Sequence, residues 1–165
     1  VGDGVQPLLS YFNGAGNLKS VQNIFKKALV TVLILGVVLS VAALFFRTQI
    51  PVLFGASQQS SVLVEAALFF SAFAFPFIGF SKLSSSYFYA IGDVKTSSLV
   101  IYLDPAVLTP LFLFTLPLFL ELTGIWLTLP FVQAALSIIL LFIYRRHREI
   151  QLAPVRKDRR LPDAS

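Results

Sequence analysis

The chain contains no cysteine and no methionine, and its only histidine is His147. Without cysteine there is no disulfide and no thiolate metal site. With one histidine besides, zinc-enzyme motifs cannot be assembled. No lysine follows a serine by three residues, so an S-x-x-K nucleophile is missing. Gly2-Asp3-Gly4 and Gly14-Ala15-Gly16 do not complete a phosphate-cradling pattern, and neither follows a strand. Charge is scarce as well, at 13% of residues where a soluble domain has about 25%. No catalytic set is visible. The chain is read as a non-enzyme with no metal site and no resident cofactor.

What is there is apolar. Of 165 residues 56% are hydrophobic, and the mean hydropathy of +0.81 is that of an integral membrane protein. The pattern is all-α, with four transmembrane helices expected over about residues 28–46, 62–80, 97–120 and 125–144. The first uncharged run would cover about 28 Å, one hydrocarbon thickness. Residues 1–16 read as the end of a preceding transmembrane helix and a cytoplasmic turn, stopped by Gly14 and Gly16. Asn17 suits an N-cap. Leu18, Val21, Ile24, Phe25 and Leu29 predict an amphipathic lead-in lying at the membrane surface. Gly36 and Ser40 make a small-xxx-small pair that permits close helix packing. Residues 48–60 predict a loop or short interfacial piece, and residues 121–124 a tight turn. The valine at position 1, with no methionine anywhere, suggests part of a longer protein.

The net charge of +5 is uneven, since seven of the thirteen basic residues fall from Arg145 onward. A nucleic-acid reader is one interpretation of such a tail. A basic cytoplasmic tail over residues 146–165, with membrane lipid and no nucleic acid as partner, fits the rest of the chain. The connections alternate as Lys19/Lys26/Lys27, Arg47, Lys82/Lys95, none, and the tail. A cytoplasmic C-terminus places twelve of the thirteen inside, which predicts a multi-pass protein of the inner (plasma) membrane.

Acids in apolar spans cost about 2.5–3.5 kcal/mol on insertion scales and default to functional positions. Asp104 leads, about 10 Å in from the cytoplasmic end of the third span. Pro105 lacks an amide hydrogen and leaves the Ile101 carbonyl free. An acid beside such a carbonyl is how transporters hold Na⁺ or a proton. Ser97 and Thr115 share roughly its helical column. Equally open is a structural role for Asp104, paired with a basic residue or facing a water-filled vestibule. Glu65 is the second candidate, nearer the outer boundary, where acids reach water. Phe69, Phe73 and Phe77 lie on one aromatic face, read either as packing against lipid or bundle or as candidate cavity lining for flat or cationic molecules. Pro76, Pro105, Pro110 and Pro117 are candidate helix kinks.

Four stretches together resemble one family: G-V-Q-P-L-L-S-Y-F-N-G-A-G-N (residues 4–17), F-P-F-I-G-F (75–80), S-S-S-Y-F-Y-A-I-G-D (84–93) and G-I-W-L (124–127). They are similar to the C-terminal lobe of multidrug and toxic compound extrusion (MATE) transporters, from the end of helix 8 through helix 12. The resemblance covers residues 1 to about 145. It implies part of a six-helix lobe of a twelve-helix antiporter that exports organic cations and drugs against Na⁺ or H⁺. The N-terminal lobe of the same protein would be the partner. Lipid-linked saccharide flippases of the same superfamily, and a non-transporting assembly subunit, are the alternatives. Two departures stand out. An ungapped alignment puts Gly79 where one branch of the family has a cation-site aspartate. Asp104-Pro105 stands where many bacterial members have a basic residue followed by glutamine.

Overall fold

The computed structural model describes the backbone of residues 1–158 and the side chains of residues 1–146. The side chains of the expected basic tail from His147 onward therefore lie outside the described residues. The chain forms α1 (Gly2–Gly14), α2 (Leu18–Phe45), α3 (Gln49–Leu53), α4 (Gln58–Ala72), α5 (Phe75–Ala90), α6 (Val94–Leu103), a π-helical turn (Asp104–Leu108) and α7 (Thr109–Asp158), with no strand among the described residues. α5 is the hub and packs against α1, α2, α6 and α7.

Local chemistry sets these boundaries. After α1 the chain turns at Gly16, whose φ of 69° suits a residue without Cβ. Asn17 then caps α2, its side-chain oxygen accepting from the Ser20 amide at 3.1 Å. The amphipathic lead-in is not a separate surface element. It is collinear with the span that follows, in a single 28-residue helix about 42 Å long. One stripe of α2 is buried, from Val21 through Phe25, Ala28 and Val32 to Gly36.

The remaining faces of α2 present Val30, Ile34, Val37, Val38 and Val41 to the surroundings. The interior, by contrast, holds Ser81, Ser84, Ser85, Ser86, Ser97 and Ser137, all buried. Hydroxyls packed among buried aliphatic side chains, behind an apolar exterior, suit lipid, where small residues and hydroxyls make helix contacts. α2 is long and apolar enough to cross a bilayer, as is the stretch 94–146, and α4 with α5 forms a broken pair bent by 50°.

That break lies where Pro76 enters. Proline has no amide hydrogen, so the carbonyl of Ala72, four residues earlier, loses its helical partner. Ser40 on α2 supplies the substitute, its Oγ donating to Ala72 O at 2.7 Å. The approach depends on Gly36, where an added Cβ would fall 2.6 Å from Pro76 Cα. Pro76 stands just after the break, with the non-helical residues Phe73 and Ala74 before it. One helical turn farther on, Gly79 meets Val32, whose Cγ1 occupies the space a Cβ would need.

Residues 94–146 reverse at Glu121, which has φ 50° and ψ −130°. The two arms, residues 94–120 and 122–146, are about 40 and 37 Å long by helical rise and pack antiparallel. Gly124 lies against the backbone of Leu116 and Pro117, and the rings of Phe112 and Phe131 are 6.2 Å apart. The reversal is therefore carried by an acidic residue, while the nearby glycine serves close packing. Pro105 is the second residue of the π-turn and Pro110 follows its C-cap, Thr109, whose amide donates to Asp104 O five residues back.

Candidate functional site

The π-turn projects Asp104 toward the second arm of the hairpin. Gln133 Nε2 donates to Asp104 Oδ2 at 2.7 Å, and Thr109 Oγ1 donates to Asp104 Oδ1 at 3.1 Å. Both partners are neutral. Among the described residues Asp104 is thus held without the basic residue that a structural ion pair would supply. Both carboxylate oxygens act as acceptors, and such hydrogen bonds are stronger in a low-dielectric setting than in water.

The contacts continue through Gln133 to α5. Ser81 Oγ lies 3.2 Å from Gln133 Oε1 and 2.8 Å from Phe77 O. Ser137 Oγ approaches the same Phe77 carbonyl at 3.4 Å. Gln133 and Ser81 are only 6% and 5% exposed, whereas Asp104 is half-buried. An acid at the edge is therefore linked to a buried polar interior spanning the π-turn, α7 and α5.

Ser97 and Thr115 do not join Asp104. Ser97 is buried, donating to Ser85 O at 3.1 Å with its hydroxyl 3.2 Å from Ser85 Oγ, and so ties α6 to α5. Thr115 is exposed and donates to Leu111 O within its own helix at 2.7 Å. The polar column expected through Ser97, Asp104 and Thr115 does not form, because each side chain has a different neighbour.

Glu65 lines a groove of about 320 Å³ with Arg47, Val62, Ala66, Phe69 and Phe70. The Arg47 guanidinium sits over the Phe69 ring, 5.5 Å from its centroid. Phe69 and Phe73 meet edge to face at 5.7 Å, and Phe69, Phe73 and Phe77 are all exposed on this chain. The bend splits them between two helices, so they do not form one continuous face. Phe70 turns aside to stack on Trp126 with ring centroids 6.1 Å apart. Pro105 lies in the π-turn and Pro110 just after its C-cap Thr109, and Pro117 faces Gly124 near the hairpin tip. Gly79 is a packing contact with Val32.

Gln133 is the residue that sequence reading missed. It is the polar side chain nearest the centre of the fourth apolar run, and that position is the signal that could have found it. Among the described residues no group of three histidine, cysteine, aspartate or glutamate side chains could hold a metal ion. The MatE family profile matches residues 1–115, which include Asp104 and Thr109 but not Gln133. No curated protein and no solved structure matches the chain.

Proposed function

The chain belongs to the MatE family of membrane transporters, and from that premise we propose that it forms part of a secondary active exporter of small organic cations or drugs, driven by an inward gradient of Na⁺ or H⁺. The observation that carries this reading is Asp104, an acid within an apolar stretch whose partners, Gln133 and Thr109, are both neutral. Such a carboxylate can exchange its charge partner during a cycle, alternately meeting a coupling ion and a cationic substrate. The exposed rings of Phe69, Phe73 and Phe77 supply an apolar, cation-tolerant surface. A second, N-terminal lobe would complete the cavity. The basic residues favour a plasma-membrane protein with its C-terminus in the cytoplasm.

Cells expressing the full-length protein are expected to gain resistance to ethidium-like cations and to lose it when the ion gradient is dissipated. Normal susceptibility, with the protein present in the membrane, would rule out drug export. Flipping of lipid-linked saccharides gains no support here. Within residues 1–146 the arginines are Arg47, Arg145 and Arg146, all exposed at the ends of apolar stretches.

A further inference from the structure

The end of α2 remote from Lys26 and Lys27 carries a charged groove that the exporter reading leaves unused. The neutral run from Ala28 to Phe46 covers about 28 Å, one hydrocarbon thickness, so Arg47 stands at a membrane boundary. The register of α2 on α4 is pinned by Ser40 Oγ on Ala72 O at 2.7 Å. Arg47 lies seven residues on from Ser40, and Glu65 seven residues back from Ala72. The two antiparallel helices therefore bring opposite charges to one level.

The charges do not close on each other. The Arg47 guanidinium lies over the Phe69 ring, 5.5 Å from its centroid, one helical turn deeper along α4 than Glu65. Among the described residues the half-buried Glu65 carboxylate has no hydrogen bond or ion pair. Both side chains instead line one groove of about 320 Å³ with Val62, Ala66, Phe69 and Phe70. A second groove, of about 640 Å³ and almost wholly apolar, adjoins it at Arg47. Phe46 and Thr48, the chain neighbours of Arg47, line that groove together with Ile50, Val52 and Leu53. Both volumes fall in the range of about 300–1,000 Å³ found for small-molecule sites.

We propose that these two grooves bind one phospholipid with a zwitterionic, primary-amine headgroup, phosphatidylethanolamine in class. Arg47 takes the phosphodiester, Glu65 takes the ammonium, and the tails lie along Phe46 and α3. In the orientation favoured by the basic residues, this lipid belongs to the outer leaflet. The site goes beyond the exporter reading and requires only that the chain spans a membrane.

The charges select the headgroup. A guanidinium presents paired donors that match two phosphate oxygens. A carboxylate accepts from the hydrogens of a primary ammonium. An anionic lipid would satisfy Arg47 but set its charge against Glu65, and an organic cation would satisfy Glu65 but meet Arg47. The quaternary ammonium of phosphatidylcholine keeps its charge and donates no hydrogen bond. The order of preference is therefore phosphatidylethanolamine, then phosphatidylcholine, then phosphatidylglycerol. A direct bond between Arg47 and Glu65 is the competing arrangement, and Phe69 opposes it by holding the guanidinium aside.

The test uses the full-length protein, delipidated in detergent, with dioleoyl phosphatidylethanolamine as the probe and native mass spectrometry as the readout of bound lipid. The wild type should hold one copy about tenfold more tightly than dioleoyl phosphatidylglycerol, with phosphatidylcholine between them. Arg47→Gln should weaken the probe about tenfold, and Arg47→Lys, which keeps the charge without the fork, should fall between. Glu65→Gln should level phosphatidylethanolamine with phosphatidylcholine. The exchanged pair, Arg47→Glu with Glu65→Arg, retains both charges but reverses them relative to the apolar groove, and should bind as weakly as Arg47→Gln. Full recovery in the exchanged pair would mean that the two side chains serve only each other, and would overturn the proposal. Equal retention of the three lipids, or retention unmoved in both Arg47→Gln and Glu65→Gln, would overturn it as well. Displacement of the probe by equimolar glycerophosphoethanolamine would place a soluble zwitterion there in place of a lipid. Displacement by equimolar tetraphenylphosphonium would assign the groove to organic cations. Either result would also overturn it.

Discussion

The Ser40 hydroxyl lies 2.7 Å from the Ala72 carbonyl oxygen, the backbone acceptor that Pro76 cannot serve. A side chain from α2 thus completes the hydrogen bonding of a bend between α4 and α5. Ser40 also lies 2.9 Å from its own Gly36 carbonyl, so one hydroxyl proton is contested between two helices. Ser40→Ala is expected to destabilise the protein by about 1 kcal/mol, the net worth of one such bond. Thermal unfolding in detergent reads this directly. An unchanged midpoint would mean that water serves Ala72 equally well.

Gly79 and Val32 make a second prediction. Gly79→Ala places a methyl on the Val32 side chain and should destabilise by about 1–3 kcal/mol. Val32→Ala in the same chain vacates that space, so the double variant should regain part of the loss. A double-mutant cycle on thermal stability measures the coupling, and strict additivity would show that the contact is not tight. By the same geometry Gly79→Asp should lower folding yield and not install a cation site.

Glu121 occupies a backbone conformation that glycine adopts freely, at φ 50°. Glu121→Gly should therefore stabilise the hairpin by about 1 kcal/mol, through relief of local strain. Glu121→Val should do the opposite, since a β-branched residue tolerates positive φ poorly. Equal unfolding midpoints for the two variants would contradict the assigned reversal.

Asp104 and Ser97, both candidates from the sequence, should separate in function. Asp104→Asn preserves shape and removes charge, and efflux should be lost while protein levels hold. Ser97→Ala removes bonds to Ser85 and should lower stability by about 1 kcal/mol with the substrate range unchanged. Efflux at matched protein levels distinguishes the two. Thr115→Ala, on an exposed face, should shift stability by less than about 0.5 kcal/mol.

What could be read from the sequence was what depends on short range. The Asn17 cap is set by its distance from Ser20, and the Gly36/Ser40 pair by one helical turn. The helical, membrane-spanning character followed from composition, which lipid imposes along every exposed face. What escaped depended on direction. Projecting Phe69, Phe73 and Phe77 onto one face assumed a straight axis, and the bend after Ala72 redirects it. The Asp104–Gln133 pair is 29 positions apart in sequence. It follows from the register of two antiparallel arms, which is fixed by where the chain reverses. The turn was expected across residues 121–124, but Gly124 packs on Leu116 and Pro117 while Glu121 makes the reversal. The acid was visible from its isolation, whereas its partner is an ordinary neutral side chain.

The reversal at Glu121 also bears on how the protein is made. Asp104 and Gln133 lie on the two arms of one hairpin, so the synthesised chain delivers the acid before its partner. Held alone in the insertion machinery, the first arm carries a carboxylate that resists transfer to lipid by about 2.5–3.5 kcal/mol. Once the second arm is made, its amide covers one carboxylate oxygen and lowers that resistance. The hairpin, and not the single helix, is therefore the unit expected to partition into the bilayer.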